Sequence, residues 1–440
     1  MYFKRNLTSR LIAWKDSPDR KPLVLKGARQ VGKTYLLKDL GKNFFEDTAY
    51  FNFEEQPDLK QFFEHTKDVG RILQNLSLVH GSSIKPGKTL VILDEIQECN
   101  QALNTLKYFC ENAPEYHVAS AGSLLGITLG KESSFPVGKV DFMDVHPLRF
   151  MEFLAGVDPS LAAFLENTDT FEPLPDLFFN HLVEKFKMYF ISGGMPEPAR
   201  ILADTNDIAR TEKSLKDILD AYALDFSKHA ESKDIAKINY VWNSIPAQLG
   251  RENKKFLYQT VKTGARAREY EDALLWLIHA GLATKVNRCT TPRIPLSAYD
   301  DLSAFKLYLL DVGLLRQLAQ LEPAVFISGN RLFVEFKGAL TENYILQSLL
   351  SQFAVTPRYW TSEGKAEVDF LIQYQNDILP IEVKSEENIR SRSLSFYQEK
   401  FQPPLRIRYS LKNLSLDGGL LNIPLFMADR TKWLLEKALL

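Results

Sequence analysis

Short apolar runs near the N-terminus alternate with segments of helical character and predict a parallel β-sheet. The runs at residues 22–25 and 89–93 consist of apolar and β-branched side chains, as expected of strands that are buried on both faces. Two more apolar runs begin at Ala49 and Tyr116, and a helical segment follows the first run from Tyr35. This repeated order of strand and helix predicts a parallel sheet covered by helices.

The pattern changes in the middle of the chain. Apolar residues recur at helical spacing from about residue 145 to 235, as expected of packed helices. Two further helices are predicted from Tyr240 and Arg268, the second ending at Gly281, and a β-hairpin begins at Ala283. This order is typical of a winged helix, which can bind the major groove of DNA or serve as a protein–protein or nucleotide-sensing module.

A phosphate-binding loop is predicted between the first strand and its helix. Residues 27–34 read GARQVGKT and fit the pattern GxxxxGK[ST]. Gly27 and Gly32 allow backbone N–H groups to surround phosphates. Lys33 would reach the β- and γ-phosphates of ATP, and the Thr34 hydroxyl would bind Mg²⁺. The predicted ATP contacts are Gly27, Ala28, Arg29, Gln30, Val31, Gly32, Lys33 and Thr34.

Polar residues follow two of the other predicted strands. Asp94 and Glu95 come directly after the run at residues 89–93, and ligands of open α/β sheets bind at this end of the strands. We expect Asp94 to hold Mg²⁺ through a water molecule and Glu95 to polarise the attacking water. Ser123 is preferred over Ser120 as the residue that faces the γ-phosphate. The alternative is an Asp-Glu cap of a helix after a purely structural strand.

The segments GARQVGKT, TLVILDEIQ, VHPLRFMEFL and ISGGMPEP resemble a large family of prokaryotic AAA+ ATPases of the STAND and archaeal type. The resemblance covers nearly the whole chain and implies a winged helix and a C-terminal nuclease-like domain. It also implies that Pro196, in Gly194-Met195-Pro196, packs against the nucleotide, although a plain turn is the alternative. The family often has Gly-Arg where this chain has Gly138 and Lys139, and lysine does not replace bidentate contacts. The arginine finger is therefore unassigned.

A second set of charged residues lies near the C-terminus. A helical segment from Leu332 contains Glu342, and two strands follow with Asp369 on the first and Glu382 and Lys384 on the second. This set resembles the core of PD-(D/E)xK nucleases. Carboxylates on adjacent strands suit Mg²⁺ or Mn²⁺, and Lys384 would position a hydrolytic water. The alternative is a degenerate fold in which these residues form only hydrogen bonds.

The amino-acid composition excludes several classes of protein. The chain has 440 residues, of which 45% are hydrophobic and 25% charged, and its net charge is -1. This excludes whole-chain disorder and a polybasic nucleic-acid binder. The three cysteines include no CxxC pair, which disfavours a cysteine zinc site and fits a reducing compartment. No apolar run of 18 residues occurs, so we expect a cytoplasmic protein without a membrane span.

The expected fold class is α/β. A P-loop NTPase core with a parallel sheet is expected at residues 1–155, a helical connector at 156–235, a winged helix at 236–321 and a restriction-endonuclease-like α/β domain at 322–440. The leading hypothesis is an ATPase that uses ATP and Mg²⁺ to rearrange the winged-helix and nuclease-like domains. One alternative is an ATP-regulated nuclease for DNA or RNA, with a second Mg²⁺ or Mn²⁺. Another is a nucleotide-gated scaffold that acts through protein partners, and homo-oligomers are compatible with each hypothesis.

Overall fold

The computed structural model describes residues 2–123, 138–327, 337–362, 364, 366–384 and 392–439, and the chain divides into two compact units. We call Lys4–Pro147 together with His279–Gly281 the N-terminal unit. The C-terminal unit comprises Met1–Phe3, Leu148–Ile278 and Leu282–Leu440.

A five-stranded parallel sheet forms the centre of the N-terminal unit. Its strands are β1 (Leu23–Lys26), β2 (Asp47–Asn52), β3 (Thr89–Asp94), β4 (His117–Ala121) and β5 (Asp141–Asp144). They lie in the order β2-β3-β4-β1-β5, and every pairing is parallel. All six residues of β3 are buried, which explains its continuous apolar sequence.

Among the described residues of this unit, five α-helices accompany the sheet. They are α1 (Leu7–Asp16), α2 (Lys33–Phe44), α3 (Gln61–Glu64), α4 (Val69–His80) and α5 (Asn100–Asn112). The buried faces of α4 and α5 pack with β2 and β3 in one hydrophobic core. Because all strands run in the same direction, the carboxyl ends of β1, β3 and β4 meet at one edge of the sheet.

The C-terminal unit begins with a helical region. Its helices are α6 (Phe150–Val157), α7 (Pro159–Glu166), α8 (Asp176–Ser192), α9 (Pro196–Thr205), α10 (Ile208–His229), α11 (Ser232–Leu249), α12 (Tyr258–Val261) and α13 (Ala267–His279). A β-hairpin of β6 (Ala283–Cys289) and β7 (Asp300–Leu309) follows, with antiparallel pairing. The helices and hairpin predicted between residues 236 and 321 are thus present, together with the short α12.

An eight-stranded mixed sheet contains this hairpin and the strands near the C-terminus. The remaining elements are α14 (Val312–Leu318), α15 (Ala324–Ile327), α16 (Lys337–Leu350), β8 (Arg358–Thr361), β9 (Glu367–Tyr374), β10 (Asp377–Val383), α17 (Arg392–Phe401), β11 (Arg406–Ser410), β12 (Ser415–Asp417), β13 (Leu420–Pro424) and α18 (Thr431–Ala438). The strand order is β12-β13-β11-β10-β9-β8-β6-β7. The pairing of β6 with β8 joins the hairpin to the strands that carry Asp369 and Glu382.

The expected α/β class is confirmed, with a parallel core, a helical middle and a mixed C-terminal sheet. Residues 332–336 of the predicted segment around Glu342 lie outside the described residues, and α16 covers the rest of that segment. Within the described part of the chain, no helix combines the length and apolarity needed to cross a lipid bilayer.

Candidate functional site

The phosphate loop connects β1 to α2 in a conformation that depends on glycine. Gly27 and Gly32 have φ angles of 151° and 95°, which glycine adopts at little cost. A Cβ at Gly27 would lie 2.3 Å from the carbonyl oxygen of Val145, so a side chain does not fit there. The buried Arg5 guanidinium donates to the carbonyl of Val31 at 3.0 Å and thereby supports the loop from outside.

Lys33 is the first residue of α2, and its ammonium group lies inside the loop. It donates to the carbonyl oxygens of Gly27 at 3.0 Å and Ala28 at 2.8 Å. Burial lowers the pKa of Lys33 to about 8, although Glu95 and Asp94 oppose this shift. A phosphate in the loop would give the ammonium group a charged acceptor in place of neutral carbonyls.

Asp94, the last residue of β3, accepts two side-chain hydrogen bonds on the same oxygen. The Thr34 hydroxyl and the Tyr50 phenol each donate to its Oδ2 at 2.8 Å. The Lys38 ammonium lies 3.6 Å from the centre of the Tyr50 ring. Burial, followed by the hydrogen bond to Asp94, raises the pKa of Tyr50, so the phenol keeps its proton and remains a donor. The structure therefore brings the two predicted Mg²⁺ ligands together and orients Asp94 from β2.

Glu95 has a backbone conformation that costs energy. Its φ is 48° and its ψ is 46°, a left-handed conformation that costs a non-glycine residue about 1–3 kcal/mol and is concentrated at functional sites. Gln97 donates to its carboxylate at 2.6 Å, and the Ser123 hydroxyl donates to the same oxygen at 3.2 Å. Ser120 instead donates to the carbonyl of Leu23 at 3.0 Å. Ser123, unlike Ser120, thus contacts the predicted catalytic carboxylate.

The two other cations that the sequence analysis considered in this unit, Arg29 and Lys139, each form an ion pair. Arg29 of the phosphate loop lies 3.4 Å from Glu54, which follows β2. Lys139 lies 2.9 Å from Glu111 at the end of α5. The assignment of Arg29 as a nucleotide contact stays a prediction, and the arginine finger stays unassigned.

The Gly-Gly segment before Pro196 joins elements of the C-terminal unit. The N–H group of Gly194 donates to the buried carboxylate of Asp311 at 2.7 Å, and its carbonyl accepts from Leu148 at 2.6 Å. Pro196 is the first residue of α9, a position at which proline fits because that N–H group needs no helical partner. These contacts explain the segment structurally, and the contact of Pro196 with nucleotide stays a prediction.

Glu342 of the predicted nuclease-like site is buried on α16 and contacts two lysines. Lys254 forms an ion pair with Oε1, while the Tyr308 hydroxyl donates to Oε2 at 3.0 Å and Lys306 lies 4.0 Å from it. Burial acts to raise the pKa of Glu342, but Lys254 and Lys306 outweigh it and lower that pKa. Lysines from the preceding region thus supply the countercharge for Glu342.

The other three predicted residues also have partners within the chain. Asp369 accepts the backbone N–H of Val383 at 2.8 Å, and Lys384 lies 2.6 Å from Glu382. Burial and then the carboxylate of Glu342 raise the pKa of Asp369 to about 7. Among the described residues, no group of three or more His, Cys, Asp or Glu side chains is placed to hold a metal ion.

Several residues of these two sites, among them Tyr50, Arg5, Lys254 and Lys306, were not predicted from the sequence. Tyr50 and Arg5 lie far from the phosphate loop in sequence, and no motif marks them. Lys254 follows α11 in a polar segment. Lys306 had a local signal, because it is the only charged residue in the apolar run of residues 304–310. A buried charge of this kind requires a partner.

Three stretches of the chain match family models. Residues 19–154 match the model of an AAA domain. Residues 183–325 match a domain of unknown function, DUF8612, and residues 337–426 match another, DUF4143. The N-terminal unit is therefore similar to AAA-type ATPases over its sheet, its phosphate loop and the residues around Asp94.

Comparison with solved structures gives distant matches. A Walker-type ATPase of Pyrococcus abyssi is 15% identical, with 72% of this chain and 96% of that chain covered and a TM-score of 0.45. The RuvB Holliday junction branch migration motor of Thermotoga maritima is 14% identical, with 66% and 89% covered and a TM-score of 0.32. The ORC1 protein of Aeropyrum pernix, in complex with DNA, is 11% identical, with 74% and 95% covered and a TM-score of 0.23. No match was found among curated proteins.

Proposed function

We propose that the N-terminal unit binds ATP with Mg²⁺ and hydrolyses it. The observation that carries this proposal is the grouping at the carboxyl ends of three parallel strands. The phosphate loop with Lys33 follows β1, Asp94 ends β3 and contacts Thr34, and Glu95 is held by Ser123 after β4. The similarity of residues 19–154 to an AAA domain supports the same conclusion.

Each residue has a distinct role in this proposal. Residues 27–34 would bind the phosphates through backbone N–H groups, and Lys33 would contact the β- and γ-phosphates. The oxygens of Thr34 and Asp94 are the hard ligands that Mg²⁺ prefers, so these residues fit the ion. The bound ion offsets phosphate charge. Glu95 would accept a proton from the attacking water, and Ser123 would hold that carboxylate in position.

The substitution Glu95→Gln tests the assignment of the base. We expect the variant to bind ATP with unchanged affinity but to release phosphate roughly 10²-fold more slowly or worse, because a neutral amide cannot accept the proton. Glu98→Gln, in the 3₁₀-helix Ile96–Glu98 that follows Glu95, is the matched control and should keep full activity. Phosphate release at the wild-type rate by Glu95→Gln would show that another group activates the water.

We further propose that ATP hydrolysis changes the conformation of the C-terminal unit, including the winged-helix region expected at residues 236–321. The division of the chain into separately compact units supports this proposal, because each unit has its own core and can respond as a body. DNA, RNA, protein partners and further copies of the chain stay candidate partners of this unit.

A further inference from the structure

Two lysines and two glutamates meet where the region that matches DUF8612 contacts the region that matches DUF4143. Lys254, in the segment after α11, pairs with Glu342 of α16. Lys306, on β7, lies 2.5 Å from Glu367 of β9 and 4.0 Å from Glu342. Lysines from residues 183–325 therefore compensate carboxylates from residues 337–426.

Lys306 is buried and Lys254 is largely covered, so their charges depend on these carboxylates. The side chain of Lys306 has no exposed surface and that of Lys254 is 16% exposed, against 5% for Glu342. The Lys306 ammonium also lies 4.8 Å from the centre of the Tyr359 ring. A buried ammonium group is stable only when its charge is paired and its hydrogen bonds are made. Lys306 thus has a fixed position inside the cluster.

A divalent ion does not fit the same carboxylates in this arrangement. Such an ion needs several oxygen ligands at about 2.0–2.6 Å, whereas both oxygens of Glu342 already have chain partners. Asp369 accepts the N–H of Val383, and Glu382 pairs with Lys384. A divalent cation at this position would also be repelled by the ammonium groups of Lys254 and Lys306, and this repulsion is strong because the dielectric constant of the protein interior is low.

We propose that Lys254 and Lys306 stand in place of a divalent cation, so that this cluster is an internal ion-pair lock and not a metal site. The lock fastens β7 and the segment after α11 to α16 and β9. It follows that the C-terminal unit does not cleave nucleic acid with a metal at Asp369. If the two regions separated, Lys254 would leave the cluster and Glu342 would stay buried with a reduced countercharge. Because an uncompensated buried charge is destabilising, the ion pair stabilises the contact between the two regions.

Calorimetric titration with Mn²⁺ tests the absence of a metal site in the wild-type chain. The titrations are run without nucleotide, for Asp94→Asn and for the double variant Asp94→Asn with Asp369→Asn, because Asp94→Asn removes a predicted Mg²⁺ ligand of the nucleotide site and leaves the C-terminal cluster as it is in the wild type. We expect the same heats from both chains. Binding of Mn²⁺ that Asp369→Asn abolishes would overturn the proposal. So would Mn²⁺-dependent cutting of DNA or RNA that is lost in both Asp369→Ala and Lys384→Ala.

A double-mutant cycle tests the ion-pair lock itself. Lys254→Met should lower the midpoint of thermal unfolding by roughly 6 °C or more, because it leaves a carboxylate buried and only partly paired. Adding Glu342→Gln should recover a large part of that loss, since the unpaired charge is then removed as well. Lys255→Met removes the same charge from the next position and is the matched control. Equal midpoints for the variants at positions 254 and 255 would refute the lock, and the Mn²⁺ titration decides independently if Lys254→Met does not fold.

Discussion

At the scale of single residues, Lys33 shows how burial prepares a side chain for phosphate. Its ammonium group is held by two loop carbonyls, and burial lowers its pKa to about 8. Near pH 8 about half of the nucleotide-free chains therefore have a neutral Lys33. Phosphate charge favours the ammonium form, so ATP binding should shift this pKa upward.

We predict that Lys33 takes up about half a proton per site when ATP binds at pH 8. At pH 6.5 its side chain is already charged, so we expect little proton uptake by Lys33. Titration calorimetry in two buffers of different ionisation enthalpy measures this uptake.

Lys33→Ala should bind ATP roughly 10–100-fold more weakly, because a charged hydrogen bond contributes about 1.5–3 kcal/mol. Equal uptake by wild-type and Lys33→Ala chains would assign the proton to another group.

Tyr50 is the second residue whose role is visible only in the folded chain. It donates to the oxygen of Asp94 that also accepts from Thr34. Removing a group that orients a metal ligand typically costs 10–100-fold in metal affinity. We predict that Tyr50→Phe raises the Mg²⁺ concentration needed for half-maximal hydrolysis by roughly tenfold, with a smaller change in kcat at saturating Mg²⁺.

The control for this prediction is Tyr35→Phe, which changes an exposed tyrosine on α2 and should leave the Mg²⁺ requirement unchanged. The measurement is the rate of phosphate release as a function of Mg²⁺ at fixed ATP. An identical Mg²⁺ dependence for Tyr50→Phe and wild type would limit Tyr50 to a structural role.

At the scale of elements, the joint between α8, α9 and α14 depends on the close approach of the backbone at Gly193 to the backbone at Gly313. Gly193 has a φ of 66°, and a Cβ there would lie 2.2 Å from Oδ1 of Asp311 and 2.8 Å from Cα of Gly313. Asp311 is buried and also accepts the N–H of Leu314 at the start of α14. The Gly-Gly sequence therefore lets three helix ends meet around one carboxylate.

We predict that Gly193→Ala lowers the free energy of unfolding by roughly 2–6 kcal/mol, because a side chain is strained at φ 66° and ψ −166° and because the added methyl group overpacks the joint. Gly264→Ala separates the two causes. Its φ is 79°, and nothing lies within 4 Å of an added Cβ, so only the backbone cost of about 1–2 kcal/mol remains. Denaturant unfolding measures both variants, and equal losses would show that packing at Gly193 tolerates a methyl group.

At the scale of the whole molecule, the central question is whether nucleotide state reaches the C-terminal unit. We predict that hydrogen exchange in α11–α13 and in the β6–β7 hairpin differs between the ATP-bound Glu95→Gln variant and the ADP-bound wild type. ADP-bound Glu95→Gln is the control, because it separates the nucleotide from the substitution. Exchange that is the same in all three complexes would contradict a rearrangement driven by hydrolysis.

The sequence by itself determined the parts of this protein that depend on neighbouring residues. The phosphate loop, the buried strands around it and the helices and hairpin of the middle region follow from local spacing, because chain geometry imposes fixed periods on side chains. Gly27, Lys33 and Asp94 could be identified in this way.

Only the tertiary structure decided which distant residues meet. The eight-stranded sheet crosses the boundary expected at residue 321, because β6 pairs with β8, and no local pattern records a pairing between strands so far apart. The contacts of Tyr50 with Asp94, and of Lys254 and Lys306 with Glu342, also join residues that are distant in sequence and that no local pattern connects. A motif shows which carboxylates are present, whereas the folded chain shows which cations neutralise them, and in the C-terminal unit those cations are lysines of the chain itself.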